Sequence, residues 1–199
     1  IIIGAQKAGT SSLFEVLKQH PDLLASKTKE VHYFDNDSWY NSENTDDYLK
    51  QFPVFAKGDG RKLPFEATPR YMFHPQAAPR IFEFNPSMKM VVLLRNPIYR
   101  ALSAWSMFHY HFKSGKRSKL HDPRSFAEAI EQDLKTVNQE WNRNKRSYVL
   151  RGHYADQISR YLEYFSEEQL LILESGDLRE SFDSTLSQIF EFVGVRNVK

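Results

Sequence analysis

The chain has no cysteine among its 199 residues. Disulfides and thiolate zinc sites are therefore excluded. It also has little net charge, since 27 Lys and Arg against 25 Asp and Glu leave +2 at pH 7. A nucleic-acid binder ordinarily shows a stronger basic bias or a basic stripe, so nucleic acid is not an expected partner. A small polyanion needs only a few well-placed cations. No apolar run approaches the roughly 20 residues of a membrane span. No signal peptide, internal repeat or low-complexity segment is visible. What is present is 41% hydrophobic and 14% aromatic, the opposite of a disordered composition. The length suits one α/β domain with a substantial core. Ile1-Ile2-Ile3 reads as the middle of a strand, so native residues, an anchor or a signal among them, are expected to precede it.

Strand and helix patterns alternate along the chain. Ile1 to Ile3 is a short β-branched run ended by Gly4, as in a buried parallel strand. A helix is expected over 10–20, with Leu13, Val16, Leu17 and His20 on one face and Pro21 as the stop. Residues 31–34 read as a short strand, 35–44 as a loop and 46–52 as a short helix. A strand follows at 63–67, then a helix at 76–84. Residues 89–94 are the clearest second buried strand, running straight into Arg95. Asn96 and Pro97 then supply an N-cap and a first-turn proline. The next helix carries Ile98, Ala101, Leu102, Trp105 and Phe108 at helical spacing. A basic loop spans 113–124 and a helix 125–141. Tyr154, Ile158, Tyr161, Leu162 and Phe165 form another helical stripe. Leu170 to Leu173 is a third buried strand, and Phe182, Leu186, Ile189, Phe190 and Val193 mark the last helix. Such alternation implies βαβ units and a parallel sheet. Ligands on such sheets bind beyond the carboxyl ends of the strands.

Two turns lie at that edge. Gly4-Ala5-Gln6-Lys7-Ala8-Gly9-Thr10-Ser11 has the spacing G-x-x-x-x-G followed by Thr-Ser, between a strand and a helix. That is the setting of a phosphate loop, in which backbone amides and the helix N-terminus surround an anion. Ser12 adds a hydroxyl to those of Thr10 and Ser11. A triphosphatase loop carries lysine directly after the second glycine. Here Thr10 stands there, and the lysine is Lys7, inside the loop. A lysine so placed can reach a bridging oxygen between a phosphate and the group being transferred. No strand ends in an obvious magnesium-holding aspartate, so neither metal nor γ-phosphate is implied. The other turn presents Arg95, whose planar fork suits phosphate. Ser103 follows two turns into the next helix. Alone, Arg95 reads equally well as a surface ion-pair residue and Ser103 as a solvated serine.

Taken together, these pieces resemble the PAPS-dependent sulfotransferases (PAPS is 3′-phosphoadenosine 5′-phosphosulfate). Within them the chain is similar to the heparan sulfate glucosaminyl N- and 3-O-sulfotransferase group and its bacterial relatives. Ile3 to Thr10 resembles the family's 5′-phosphosulfate loop, and His20-Pro21-Asp22 its turn after the first helix. Lys29-Glu30-Val31-His32-Tyr33-Phe34-Asp35 is similar to its acidic catalytic segment. Glu66-Ala67-Thr68-Pro69-Arg70-Tyr71 resembles a segment lining its acceptor cleft. Leu93-Leu94-Arg95-Asn96-Pro97 through Arg100, Ser103 and Trp105 resembles its 3′-phosphate motif, and Gly152-His153-Tyr154 opens a helix as its Gly-x-Tyr does. The resemblance implies a P-loop-containing three-layer α/β fold with a central parallel sheet flanked by helices. It implies PAPS as co-substrate, PAP (adenosine 3′,5′-bisphosphate) as product, no required metal, and an acceptor hydroxyl or amine on a saccharide.

It also implies roles. Lys7 stabilises the bridging oxygen, and Ala8, Gly9, Thr10, Ser11 and Ser12 hold the 5′-phosphate. Arg95 and Ser103 grip the 3′-phosphate. Glu30 is the general base, with His32 beside it; both, with Arg70, face the acceptor. If 31–34 is a strand, Glu30, His32 and Phe34 share one face and Val31 and Tyr33 the other. His32 reads equally well as a hydrogen-bonded structural histidine, or as the base itself for a different acceptor. Many relatives carry lysine where Ala67 stands, and Arg70 is the candidate to replace that cation. The single domain is expected to lack the family's C-terminal nucleotide- and substrate-binding segment. The compartment is expected to be cytoplasmic for a bacterial protein and the Golgi lumen for an anchored animal-type enzyme. Lys113, Lys116, Arg117 and Lys119 could attract an anionic glycan, though a solvated loop is the simpler reading, and Phe108, Tyr110 and Phe112 read as packing. A P-loop kinase and a non-catalytic PAP- or glycan-binding module are the alternatives.

Overall fold

The computed structural model describes residues 1–40, 45–53, 62–111, 113–115, 118–136 and 146–198. In chain order the elements are β1 (Ile2–Gly4), α1 (Thr10–Leu17), β2 (Leu23–Ala25), α2 (Asp37–Tyr40), α3 (Thr45–Leu49), β3 (Leu63–Phe65), α4 (Ala77–Phe84), β4 (Met90–Leu94), α5 (Pro97–Ser106), α6 (Phe126–Thr136), α7 (Tyr154–Leu162), β5 (Leu170–Glu174), α8 (Asp177–Glu180) and α9 (Phe182–Val193). The chain divides into two compact units. One is Ile1–Leu94 with Gln157–Lys199; the other is Arg95–Asp156.

The first unit holds the sheet, and every strand pairing in it is parallel. β4 lies between β1 and β5, while β2 pairs with β3. Just past β3 the chain bridges to β1: Ile2 N donates to Glu66 O at 2.9 Å, and Thr68 N donates to Ile2 O at 3.0 Å. The strands thus run in the succession β2-β3-β1-β4-β5. Met90 to Leu93 are all buried, as expected of a strand covered on both faces. The α/β class with helices about a central parallel sheet is the one the sequence implies. Gly4 is required by a neighbour: a Cβ there would lie 2.5 Å from Met72 Sδ and 2.7 Å from Met72 Cβ. Met72 is held in place, because its N–H donates to Ile3 O at 2.9 Å.

Several expectations are corrected. α1 stops at Leu17, not at residue 20, because Gln19 N and His20 N bond three residues back, to Val16 O and Leu17 O, and tighten the last turn. Residues 37–40 form α2 inside the expected loop. β2 was not legible: Leu-Leu-Ala is short and not β-branched, and its partner β3 supplies the ladder. Residues 31–34 are not a strand. Glu30 and His32 take φ of 62° and 59°, left-handed values that break an extended ladder.

In the second unit, α5 opens as expected. Asn96 Oδ1 accepts from Ile98 N at 3.0 Å and Tyr99 N at 3.3 Å, with Pro97 at the first helical position. A π-helical turn, Met107–His111, prolongs it. The buried face is Arg100, Ala101, Ala104 and Phe108, packed with Ala129 and Tyr148. Ile98 and Leu102 were expected on that face but lie one step around the helix, 69% and 39% exposed. α6 is the expected helix at 125–141, whose residues 137–141 lie outside the described ones, as do Phe112, Lys116 and Arg117. Among the described residues no helix is long and apolar enough to cross a membrane.

The Met72 contact predicts that Gly4→Ala costs about 1–3 kcal/mol by overpacking. Urea denaturation of the two proteins measures it; equal midpoints and slopes count against the contact.

Candidate active site

The loop joining β1 to α1 is pinned from below. Ala5 N donates to Leu93 O on β4 at 2.7 Å, so the loop leaves from the carboxyl edge of the sheet. Lys7 and Gly9 are both left-handed, with φ of 70° and 98°. Glycine meets that demand at little cost, while lysine there is strained. Gly9 caps α1 without any side-chain hydrogen bond, and the first turn holds no acidic residue. The first amides of a helix have no partner within it. Such a concave run of N–H groups at a positive helix end suits a phosphate. Ala8 and Thr10 are buried, Lys7 is half-buried, and Gly9, Ser11 and Ser12 are exposed. The loop residues expected to bind phosphate are thus contiguous around one turn.

A second constellation in the same unit is a chain of alternating charge. Lys29 Nζ donates to Glu30 Oε1 at 2.8 Å. Glu30 Oε2 lies 3.5 Å from His32 Nε2. His32 Nδ1 donates to both Asp35 oxygens, at 3.1 and 2.9 Å. Arg70 NH1 donates to Asp35 Oδ2 at 3.1 Å. Glu30 and His32 are partly exposed, whereas the Asp35 side chain is fully buried. The bond to His32, with Lys29 adding to it, brings the Glu30 carboxyl down to about 2 against the opposing effect of burial. Asp35 and then Glu30 raise His32 to about 9. Between those limits the pair is carboxylate and imidazolium.

The backbone under this pair is held from the segment after β3. Glu30 N donates to Ala67 O at 2.9 Å, His32 N to Thr68 Oγ1 at 3.5 Å, and Tyr33 N to Tyr71 Oη at 3.0 Å. Tyr33 and Phe34 are buried among aromatics. Tyr33 stacks on Tyr48 with ring centres 4.7 Å apart, and Phe34 meets Tyr71 and Phe84 edge-on at 5.5 Å. Glu30 and His32 are therefore adjacent, as the sequence predicts, but through two left-handed residues and not a shared strand face. Arg70, expected near them, arrives by way of Asp35. Ala67 is buried and serves as the bridge to β1. The sequence reading gives Asp35 no role of its own. Its spacing three residues after His32, in a polar turn, was the available signal.

Arg95 and Ser103 belong to the second unit. Arg95 is half-buried at the foot of α5, and its carbonyl accepts from Tyr154 Oη at 2.8 Å. Gly152 lies against Pro97, where a Cβ would sit 3.0 Å from Pro97 Cβ. The 152–154 motif thus braces the turn that carries Arg95. Ser103 stands half-buried seven residues after Asn96, two turns along α5 and on the side of the N-cap.

Comparison with known proteins shows which family the chain resembles along its length. The chain is 30% identical over 179 residues to human heparan sulfate glucosamine 3-O-sulfotransferase 5, covering 89% of this chain and 48% of that protein. It is 32% identical over 201 residues to human bifunctional heparan sulfate N-deacetylase/N-sulfotransferase 3, covering 98% of this chain and 22% of the relative. It thus spans less than half the length of these curated relatives. Among solved structures, a sulfotransferase from Alicyclobacillus acidocaldarius superposes with a TM-score of 0.79 at 28% identity, covering all of this chain and 81% of the other. The model of the sulfotransferase domain matches residues 1–198. A parallel sheet with a lysine-bearing phosphate loop at its carboxyl edge, matched along this whole length, makes the chain a member of the sulfotransferase domain family.

Proposed function

We propose that this domain transfers the sulfuryl group of PAPS to a hydroxyl or amine of a saccharide, releasing PAP. The observation that carries the reading is the Glu30–His32–Asp35 array in a domain of this family. A partly exposed carboxylate is held there by an imidazolium, itself anchored on a buried carboxylate. The saccharide acceptor rests on the heparan sulfate relatives.

The phosphate loop suits the donor's 5′ end. Uncapped amides at the start of α1 fit its phosphate oxygens, and Lys7 fits the bridging oxygen. Sulfuryl transfer, like phosphoryl transfer, proceeds in line: the acceptor oxygen or nitrogen bonds to sulfur while the bridging S–O bond breaks. The electron pair of that bond stays on the departing phosphate, and Lys7 neutralises it. Fixed amides and cations supply most of such catalysis. Glu30 takes the acceptor proton. In a loose transition state the attacking atom bonds weakly until late, so its proton leaves late and a weakly basic carboxylate suffices. His32 is protonated below about pH 9 and cannot accept a proton there, which favours Glu30 as the base. Its part is to aim Glu30. Arg95 and Ser103 suit the 3′-phosphate that distinguishes PAP from other adenosine nucleotides.

Calorimetric titration tests the nucleotide. PAP is expected to bind tighter than ATP with magnesium, and Arg95→Ala to weaken PAP about 10–100-fold, the loss of charge-assisted hydrogen bonds. Tighter binding of ATP with magnesium would favour a kinase-like phosphotransferase.

Labelled-sulfate transfer tests the chemistry. Lys7→Ala is expected to lower kcat about 10²–10³-fold, and Glu30→Gln about 10²–10⁴-fold. A Glu30→Gln protein that binds PAP and transfers sulfate at the unaltered rate sinks the base assignment.

The pH profile follows from the two shifts. Glu30 is depressed to about 2, so it contributes no acid limb near pH 5–7. His32 is raised to about 9, so its ion pairs are intact below the ordinary 6.5 and lost as pH rises through about 9. Activity should be level from about pH 5 to 8 and fall above about 9. Asp35→Asn removes the largest cause of the raised value and should move the alkaline limb toward neutrality. A limb that stays in place in that variant is not His32.

A further inference from the structure

Glu66 has no part in the chemistry above, yet its side chain is completely buried. Three hydroxyls among the described residues donate to it. Tyr48 Oη donates to Oε1 at 2.9 Å, Tyr71 Oη to Oε1 at 3.1 Å, and Thr68 Oγ1 to Oε2 at 2.7 Å. Two of these hydroxyls also face the segment carrying the base. Thr68 Oγ1 accepts from His32 N, and Tyr71 Oη accepts from Tyr33 N and from Phe34 N at 3.5 Å.

A hydroxyl has one proton to give. Pointed at Glu66, that proton leaves the oxygen lone pairs of Thr68 and Tyr71 toward the three backbone N–H groups. Pointed the other way, it would meet those N–H groups proton to proton. The carboxyl, acceptor on both oxygens, therefore sets the direction of both hydroxyls. The N–H groups concerned belong to consecutive residues, 32 to 34, which begin two positions after the left-handed Glu30 and include the left-handed His32. A backbone strained in this way persists only where surrounding bonds over-determine it.

We infer that Glu66 is a positioning residue for the Glu30–His32 pair, acting through the hydroxyls of Thr68 and Tyr71 on the backbone of residues 32–34. The inference rests on the proposed role of Glu30 for its effect on rate, but not for its effect on His32. Burial drives the Glu66 carboxyl upward while the three hydroxyl bonds pull it back, so the cluster is a costly one to keep. The groups that face His32 are Glu30 and Asp35, flanked by Lys29 and Arg70. Arg70 in turn lies near His74, whose value burial, and then the Arg70 charge, hold down at about 4.

The test is Glu66→Gln, which keeps the shape but replaces one acceptor oxygen by a donor NH2, so one hydroxyl must turn. Three readouts are taken: PAP affinity by calorimetry, kcat, and the His32 titration followed by imidazole NMR. PAP affinity should hold within about twofold, since the phosphate loop is untouched. The rate constant should fall about tenfold or more with nucleotide KM unchanged. His32 should titrate lower by about one unit or more, as its distance to Asp35 and Glu30 relaxes. Should the variant fail to fold, Tyr71→Phe carries the same three readouts, because it removes the oxygen that holds Tyr33 and Phe34 while keeping the ring. A folded variant that binds PAP and keeps both the wild-type rate and the wild-type His32 titration overturns the inference. Glu30→Gln is run beside it: if that change leaves the rate intact, the proposed base is wrong, and the His32 titration alone decides on Glu66.

Discussion

The buried carboxylate of Asp35 is the fixed point of this site. A charge taken from water must be met by opposite charge and by hydrogen bonds, or it is not kept. Asp35 is met by His32 on both oxygens and by Arg70 on one. That arrangement fixes the imidazole ring, since Nδ1 must face Asp35 and Nε2 is then turned toward Glu30. Glu30 is in turn held between His32 and Lys29. The Glu30 carboxylate is thus aimed from inside the protein outward, with the most buried group anchoring the most exposed.

The backbone answers the same requirement. Two left-handed, non-glycine residues within three positions cost roughly 1–3 kcal/mol each. No strand ladder could contain them. The cost is offset by bonds from Glu30, His32 and Tyr33 amides to the segment after β3, and by Tyr33 and Phe34 buried in an aromatic cluster. That segment is itself bonded to β1, and β1 leads into the phosphate loop. The same three-residue strand thus supports both the loop before α1 and, through residues 66–71, the Glu30–His32 pair.

This connection explains what the sequence could and could not reveal. β1 and β4 were legible because strands buried on both faces are continuous apolar runs; β5 was legible as an apolar run too, but it is not the fully buried strand expected, since Ile172 is 44% exposed. The Asn96-Pro97 start of α5 was legible because capping is local chemistry. β2 was not, since nothing in Leu-Leu-Ala marks a strand until β3 lies beside it. Val31 to Phe34 misled in an instructive way. Its β-branched and aromatic residues look like a strand, yet they are aromatic because they fill a core pocket. The predicted meeting of Glu30 and His32 came out correctly through a conformation the pattern did not contain. Asp35 and Glu66 were read only as members of a motif, because sequence pattern assigns carboxylates to the surface. Burial of a carboxylate depends on partners brought from elsewhere in the chain, such as Arg70, Tyr48 and Tyr71.

The placement of Arg70 bears on how the site responds as a whole. A cation at the buried bridge position of Ala67 would project from the sheet itself. At position 70 it is tethered to the same oxygen, Oδ2, that His32 uses. Two cations on one carboxylate compete for it. Withdrawing Arg70 leaves Asp35 entirely to His32, while withdrawing Asp35 removes the carboxylate that joins Arg70 to His32 and leaves His32 with Glu30 alone. Charges in direct contact are energetically coupled, so single substitutions along Lys29, Glu30, His32, Asp35 and Arg70 do not report separable contributions. The array is one electrostatic unit whose exposed end is Glu30 and whose buried end is Asp35.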